Sequence, residues 1–315
     1  MLVVEYTWGM PETPLLRMTD LKSLDFANIS EISAARKANS EPTLSFEFFP
    51  PKDEAGEVNL WTAFEKLQQV SPDYVSVTYG AGGSNRERSL AVVDRMAKEV
   101  MTIGHLTCVG ATKTSTLEII KHFERAGVGA ILALRGDAPK DDPDALQKGE
   151  LKTALELVEL VNEFTKLEVG VAAFPEVHPE SPNMEHDSRV LALKKSAGAR
   201  FAVTQLFFSV EAYTDLVSSA KAAGADLPIV PGVMPISNAK QVIRMAELSG
   251  AAIPPELLAK FDAAEDDAKA REIGMSYSTQ LAIDLVAAGA PGIHIFTLNH
   301  HEAAIELARG AGLCR

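Results

Sequence analysis

The stretch Ala130-Ile-Leu-Ala-Leu-Arg135, followed directly by Gly136-Asp137, is an apolar run that ends in charged residues. Such a run is typical of a strand in a parallel sheet that is covered on both faces. Similar runs recur along the chain, most of them about every thirty residues, which is roughly the length of one βα unit. They span residues 44–48, 74–78, 101–107, 169–174, 201–205, 228–233 and 292–299. Eight such units predict an α/β fold with a single (β/α)8 TIM barrel.

The segments outside this repeat predict the remaining organisation. Residues 1–40 are expected to form an N-terminal extension: the first twenty, rich in Pro and Thr, disordered, and residues 25–37 an amphipathic helix that can close the bottom of the barrel. Residues 41–315 are expected to form the barrel, which is the catalytic domain. Ser115-Thr-Leu-Glu118 predicts a helix start and Gly127 its end, and residues 253–274 predict one or two extra helices.

The composition limits the classes of partner. The chain has 30 basic and 43 acidic residues, for a net charge of −13, which argues against nucleic acid and against an anionic membrane surface. Its two cysteines, Cys108 and Cys314, form no disulfide framework and fit a reducing compartment. There is no signal-peptide pattern, and no apolar stretch approaches the roughly twenty residues that span a bilayer. We expect a soluble cytoplasmic protein, and homo-oligomer formation stays open.

Glu47 lies in Phe46-Glu-Phe-Phe-Pro-Pro51, at the end of the first predicted strand. In such barrels the chemistry takes place at the carboxyl ends of the strands. Aromatic neighbours desolvate a carboxylate, which raises its pKa and favours a role as a general acid near neutral pH. The alternative is a glutamate that pairs with a cation on a neighbouring strand. The residues alone leave both interpretations open.

Leu134-Arg-Gly-Asp137 places a cation and an anion at the end of the fourth predicted strand. The glycine between them permits close approach of a ligand to the backbone, and charges at this end of a barrel favour function over a structural ion pair. The segment Gly80-Ala-Gly-Gly-Ser84 has neither GxGxxG spacing nor a Walker lysine. A flexible turn is therefore favoured there over a phosphate site.

Two further strand ends carry polar residues. The loop Pro175-Glu-Val-His-Pro-Glu180 either holds His178 against a ligand or is simply braced by its prolines. The amide of Gln205 can read a donor–acceptor edge of a heterocycle, or it can be satisfied by its own loop. The seven histidines show no HxxH or HExxH spacing, and His300-His301 lack suitably spaced carboxylates, so no metal site is expected.

Seven short motifs follow one another from about residue 42 to the end of the chain. They are Phe46-Glu-Phe-Phe-Pro-Pro51, Val75-Ser-Val-Thr-Tyr-Gly80, His105-Leu-Thr-Cys108, Leu134-Arg-Gly-Asp137, Pro175-Glu-Val-His-Pro-Glu180, Thr204-Gln205 and Thr297-Leu-Asn299. In these motifs and their order, the chain resembles the bacterial, FAD-containing methylenetetrahydrofolate reductases. The resemblance implies a flavin-containing barrel that oxidises NADH or NADPH and reduces methylenetetrahydrofolate to methyltetrahydrofolate, for methionine synthesis, by ping-pong hydride transfer.

The resemblance also implies roles for individual residues. Glu47 matches the general acid that assists opening of the folate ring to an iminium cation, and Asp137 matches a carboxylate that would stabilise this cation. Folate contacts are implied for Glu47, Asp137, Gln205 and Met245. Arg135 and Lys194 suit the diphosphate of FAD. The full set implied to line the flavin is Thr78, His105, Leu134, Arg135, Gly136, Asp137, Ala172, Phe174, His178, Asp187 and Lys194.

Four positions depart from the family pattern. Phe174 replaces a tyrosine, Val190 and Leu193 replace an asparagine and an arginine that contact flavin, and Met245 replaces an aromatic residue near the substrate. The loss of polar contacts keeps a second hypothesis open, in which hydride passes directly from the nicotinamide without a flavin. A non-catalytic folate-binding or partner subunit and a generic barrel isomerase or aldolase are the other classes considered; the latter would need a strand-end lysine or phosphate site, and neither is evident.

Overall fold

The computed structural model describes residues 26–79, 83–138 and 142–315. Within these ranges, nine strands form one parallel sheet in the order β7-β6-β5-β4-β3-β2-β1-β9-β8. The strands are β1 (Thr43–Phe48), β2 (Tyr74–Val77), β3 (Thr102–Thr107), β4 (Ala130–Leu134), β5 (Glu168–Ala173), β6 (Phe201–Thr204), β7 (Ile229–Val230), β8 (Gly232–Val233) and β9 (Gly292–Phe296). The predicted (β/α)8 TIM barrel is confirmed, and each apolar run contains its strand except that β1 and β5 begin one residue earlier, at Thr43 and Glu168.

The two shortest strands correspond to a single predicted run, 228–233. Proline lacks a backbone N–H and interrupts a strand ladder, and Pro231 lies between β7 and β8. The first half pairs with β6 and the second half with β9, which closes the circle. The seventh barrel strand is therefore one strand in two pieces.

Apart from α1, which precedes β1, the helices follow strands or one another, and the longer ones form the outer layer. They are α1 (Ile29–Ala38), α2 (Glu54–Leu67), α3 (Gly83–Met96), α4 (Lys113–Ala126), α5 (Ala145–Lys148), α6 (Ala154–Phe164), α7 (Met184–Ser196), α8 (Val210–Ala222), α9 (Ala239–Ser249), α10 (Pro255–Asp262), α11 (Asp267–Ala287) and α12 (His301–Gly310), with a 3-10 turn at Gln68–Val70. None of the helices in the described ranges has both the length and the apolar character needed to cross a membrane.

The strand side chains alternate between the outer layer and the barrel interior, as the pleat requires. On β1, Leu44, Phe46 and Phe48 pack in the same core cluster as Leu60 and Phe64 of α2. The alternate residues of β1 face inward and are polar. This alternation is what points a carboxylate, Glu47, into the barrel.

Helix α1 lies at the bottom of the barrel. Its Ile29 and Ile32 are buried against the interior side chains of Tyr74, Ile103 and Phe201. The amphipathic segment predicted at 25–37 is thus observed as a helix. The disorder expected for the first twenty residues, and most of the turn at 80–84, lie outside the described residues.

Two details of the helices differ from expectation. Helix α4 begins one turn earlier than predicted, because Thr112 caps it and exchanges the capping-box bonds with Ser115. The helix start predicted from a capping box at Ser115-Thr-Leu-Glu118 is therefore wrong, whereas Gly127 ends the helix with a φ of 79°, as predicted. The extra helices after residue 253 are α10 and the long α11, which continues to Ala287.

Candidate active site

The carboxylate of Glu47 is buried in the barrel interior between two histidines. Its Oε2 lies 3.6 Å from His105 Nε2 and 3.7 Å from His294 Nε2. Burial lowers the pKa of His105 to about 4, an effect that the negative Glu47 opposes and His294 reinforces. His105 is therefore neutral at pH 7, and the carboxyl group of Glu47 has no charged imidazole there as a counterion.

His294 belongs to a polar cluster inside the barrel. Its Nδ1 is 2.8 Å from Ser45 Oγ, and its Nε2 is 3.3 Å from Ser76 Oγ. Buried polar groups need hydrogen-bond partners. Ser45 and Ser76 find theirs in the ring of His294, and in turn they fix the position of this ring. The Nε2 of His105, in contrast, is buried without a hydrogen-bond partner among the described residues. The interior around Glu47 thus has unused hydrogen-bonding capacity.

The backbone around Glu47 is held from the end of β9. Thr297 Oγ1 donates to the Glu47 carbonyl oxygen at 2.6 Å. The side-chain amide of Asn299 accepts from Phe49 N at 3.0 Å and donates to Phe49 O at 2.9 Å. Three side-chain bonds therefore follow the point where backbone pairing of β1 with β9 stops, at Glu47 opposite Phe296.

A cavity of about 530 Å³ opens beside this region, at the carboxyl ends of β4, β5 and β6. Its wall contains nine of the residues expected to bind cofactor, together with Gln205, which was expected to bind substrate. They are Leu134, Arg135, Gly136, Asp137, Ala172, Phe174, His178, Asp187, Lys194 and Gln205. The structure thus gathers most of the predicted set around one space.

The cavity has two cations in its wall. Desolvation lowers the pKa of the half-buried Lys194, an effect that nearby Asp187 opposes and Arg135 reinforces. Arg135 is held by Glu180, which accepts hydrogen bonds from both terminal nitrogens, one of them at 2.9 Å. This pairing raises the pKa of Arg135 and lowers that of Glu180. A bound anion would meet one desolvated ammonium and one guanidinium that already has a partner.

The loop after β5 is shaped by Asp187. This carboxylate accepts the backbone N–H of His178 at 2.8 Å and the hydroxyl of Ser181. The ring of His178 lies edge-on to Phe174, with centroids 4.6 Å apart. Asp187 therefore orders the loop that forms one side of the cavity. It also lies near Lys194, but the described residues include no ion pair between the two side chains.

Asp137 differs from the rest of the wall in its exposure, and the remaining predicted residues lie outside the wall. Asp137 lines the cavity, but its carboxylate is fully exposed, 3.9 Å from Arg135 Nη2. Thr78 is half-buried just beyond β2, and its N–H donates to Phe48 O at 2.9 Å. Met245, on α9, packs against a separate apolar cluster that includes Leu206. The cavity wall includes neither Thr78, His105, Glu47 nor Met245.

Three of the four positions that depart from the family pattern line the cavity, and Met245 is the exception. Val190 and Leu193 of α7 are in its wall, and the side chain of Leu193 is 55% exposed. An exposed leucine beside two cations offers an apolar contact where a polar one was expected. Phe174 keeps an aromatic ring in the wall.

Reasoning from the sequence missed three residues of this region: His294, Glu180 in its pairing with Arg135, and Thr297. A signal for His294 existed, because a histidine and two serines at alternating positions of apolar strands indicate a polar interior. The other two lie in motifs quoted above, but no signal marked their partners, Arg135 and Glu47, which are distant in sequence. Among the described residues, no group of three or more His, Cys, Asp or Glu side chains is arranged to hold a metal ion.

Comparison with known proteins places these features in a family. A protein-family model described as methylenetetrahydrofolate reductase matches residues 32–312. The chain is 36% identical over 275 residues to the 5,10-methylenetetrahydrofolate reductase of Escherichia coli (strain K12), covering 86% of this chain and 90% of that protein. It is 33% identical over 288 residues to methylenetetrahydrofolate reductase (NADH) 1 of Arabidopsis thaliana, covering 87% of this chain and 49% of that protein.

A solved structure shares the fold. It is described as an uncharacterized protein from Clostridium thermocellum that binds two copies of 5-methyl-5,6,7,8-tetrahydrofolic acid. The TM-score is 0.55 at 19% identity, with 89% of this chain and 96% of that chain covered. At this identity the likeness supports the barrel fold alone.

Proposed function

Because the chain belongs to the methylenetetrahydrofolate reductase family of oxidoreductases, we propose that it reduces 5,10-methylenetetrahydrofolate with hydride from NADH or NADPH by way of bound FAD, and so supplies methyl groups for methionine synthesis. The observation that carries the proposal is the gathering of nine expected cofactor residues and Gln205 around one cavity. The cytoplasmic location and a homo-oligomeric state are also proposals, the former supported by the presence of only two cysteines.

The cavity residues fit a flavin dinucleotide. Leu134, Ala172 and Phe174 provide an apolar wall for a flat ring. Lys194 is a desolvated ammonium, so an adjacent anion would stabilise its charged form. Arg135 would bind phosphate with its two terminal nitrogens in exchange for Glu180, which accepts from both of them here. These two cations would hold the diphosphate, and the apolar wall would contact the ring. The bound flavin would accept a hydride and later release it, which is chemistry that no amino-acid side chain supplies.

The protein itself supplies binding, orientation and a proton. Glu47 would donate a proton to the folate ring nitrogen as the ring opens, from an interior where His105 is neutral at pH 7. The exposed carboxylate of Asp137 would stabilise the resulting iminium cation, and the Gln205 amide would bind the pterin edge. We propose that nicotinamide and folate use the same space in turn, so that the nicotinamide nucleotide would leave before folate enters, in ping-pong order.

An absorption spectrum of the purified protein tests this proposal. We expect a flavin spectrum that bleaches on anaerobic addition of NADH or NADPH and returns when methylenetetrahydrofolate is added. This result would establish the cofactor, the reaction and the order together. A colourless protein that does not bind added FAD, yet oxidises NADH when folate is present, would contradict both the role of FAD and the ping-pong order.

Direct hydride transfer from the nicotinamide is the second candidate. The observation that favours it is the apolar side chain of Leu193, which is exposed beside Val190 in the cavity wall. These side chains offer no hydrogen bonds to a flavin ring or ribityl chain. The colourless outcome of the spectrum would favour this candidate.

Glu180→Gln is expected to tighten binding of FAD to the apoprotein by up to about fivefold. The glutamate holds Arg135 in a partly exposed ion pair, and such pairs are worth up to about 1 kcal/mol. Removing its charge frees the guanidinium for phosphate. Titration calorimetry with FAD measures the change, and Glu185→Gln, which breaks the exposed pair with Arg189, is the matched control. Unchanged or weaker binding by Glu180→Gln would count against Arg135 as a phosphate ligand.

A further inference from the structure

The motif Thr297-Leu-Asn299 continues the contact between β1 and β9 by side chains. The backbone ladder pairs Glu47 with Phe296 and goes no further. Beyond it, the Thr297 hydroxyl donates to Glu47 O at 2.6 Å, and the Asn299 amide pairs with both the N–H and the carbonyl of Phe49. The amide of Asn299 thus takes the place of a strand residue. We call this arrangement the β9 clamp.

The backbone of the clamp adopts a costly conformation. Leu298 and Asn299 have φ values of 50° and 60°, in the left-handed region that residues other than glycine rarely adopt. Such strain persists only where surrounding contacts enforce it, and it concentrates at functional sites. One contact that enforces it is the bond from the Asn299 N–H to Thr297 Oγ1, at 3.0 Å. The same hydroxyl therefore supports the turn and holds Glu47.

The clamp is needed because β1 has few other means of fixing its end. Phe49 is followed by Pro50 and Pro51, which have no backbone N–H to donate. On the side of β2, the bond from Thr78 N to Phe48 O, at 2.9 Å, follows the last paired residues, Phe48 and Val77. On the side that faces β9, the Glu47 carbonyl and the Phe49 N–H, which flank Phe48, therefore take their hydrogen bonds from the clamp.

We infer that Thr297 and Asn299 are positioning residues for Glu47, holding its carboxyl group at the place from which it protonates the folate. The inference rests on the proposed acid role of Glu47. The clamp bonds lie at Glu47 itself and two residues beyond it, so their loss shifts the carboxyl relative to His105 and His294. A displacement of about 1 Å at a reacting group can cost about a hundredfold in rate. A clamp that only closed the barrel would affect stability without this selectivity.

The test uses conservative variants at both positions. Thr297→Val keeps the shape and removes the hydroxyl, whereas Thr297→Ser retains it. Asn299→Gly removes the amide, and glycine adopts the positive φ without strain. The matched control is Thr102→Val, because the Thr102 hydroxyl is also buried and donates to a backbone carbonyl, Val100 O at 2.9 Å, but at the bottom of the barrel.

We expect Thr297→Val and Asn299→Gly to lower kcat for methylenetetrahydrofolate reduction by about 10- to 100-fold, with KM for folate within about threefold. Oxidation of NADH with a quinone acceptor, which needs no acid from Glu47, should stay within about twofold of wild type. Thr297→Ser should restore most of kcat, and Thr102→Val should match wild type in both assays. Melting temperatures identify any variant that does not fold, in which case the other position carries the test.

The outcomes separate the inference from the function on which it rests. Equal losses in both assays, or an equal loss in Thr102→Val, would show that the clamp is structural and overturn the inference. If Glu47→Gln abolishes folate reduction while both clamp variants reduce folate normally, only the inference fails. If Glu47→Gln itself reduces folate normally, the acid role fails, and the inference fails with it.

Discussion

Glu47→Gln is expected to lower the rate of methylenetetrahydrofolate reduction by roughly 10²- to 10⁴-fold, the range that a positioned general acid contributes. The amide has nearly the same volume and can still donate toward His105 or His294, so the interior should pack as before. It cannot release a proton to the opening folate ring. The loss should therefore fall on the folate half of the reaction and spare oxidation of NADH.

Anaerobic stopped-flow measurement of the two half-reactions checks this expectation. Glu168→Gln provides the matched control, because Glu168 is a half-buried glutamate at the opposite end of the barrel, where its Oε2 accepts the Ser30 N–H at 3.0 Å. The control should reduce folate within about twofold of wild type, since the bottom of a barrel contributes to stability rather than to chemistry. Folate turnover by Glu47→Gln at the rate of the control would remove Glu47 from the acid role.

Asp73→Ala is expected to destabilise the protein by about 3–5 kcal/mol, the usual result of removing one partner from a buried ion pair. Asp73 is 3% exposed and lies at the bottom of the barrel, just before β2. Its carboxylate binds Arg36 Nε at 2.7 Å and Arg315 Nη1 at 2.9 Å, and it accepts the Leu44 N–H at 2.8 Å. The substitution leaves Arg36 buried with only the more exposed Glu41 as counterion.

Chemical denaturation monitored by circular dichroism measures the loss. The control is Asp94→Ala, which breaks the partly exposed pair with His122 and should cost less than about 1 kcal/mol. Folded Asp73→Ala protein should keep its kcat, because the network lies at the opposite end of the strands from Glu47. A destabilisation no larger than that of the control would show that the network contributes little to stability.

The fold was largely predictable because its signal is local. Each strand of a covered parallel sheet is a short apolar run, so the runs located all of the strands, and inward Ile29 and Ile32 are spaced as a helix requires. Where the predicted bounds of a helix or strand were wrong, the same local sequence pattern fitted two different structures. The start of α4 has a second Ser/Thr three residues upstream, and Pro231 divides a run that reads as one strand.

The sequence motifs identified a candidate set of site residues, but not how the side chains are arranged. Ten of the predicted residues, from Leu134 to Gln205, lie in the cavity wall. The motifs did not reveal that Glu180 holds Arg135, because either residue alone suits a free charge at a barrel mouth. The β9 clamp joins residues 250 positions apart, a pairing that only the closed barrel defines. The roles themselves remain predictions that the proposed half-reaction measurements decide.

The pairing of β1 with β9 has a consequence for how this enzyme gains activity on folding and loses it on unfolding. Glu47 is on the first strand, whereas His294 and the clamp come from the last, so the environment of the proposed acid arises only when the ring of strands closes. Contacts this far apart in sequence form slowly, because the long loop between them must lose entropy first. An intermediate with most of its helices and strands would therefore be catalytically silent. During refolding, the recovery of activity would therefore measure closure of the ring, whereas circular dichroism would measure formation of the helices and strands.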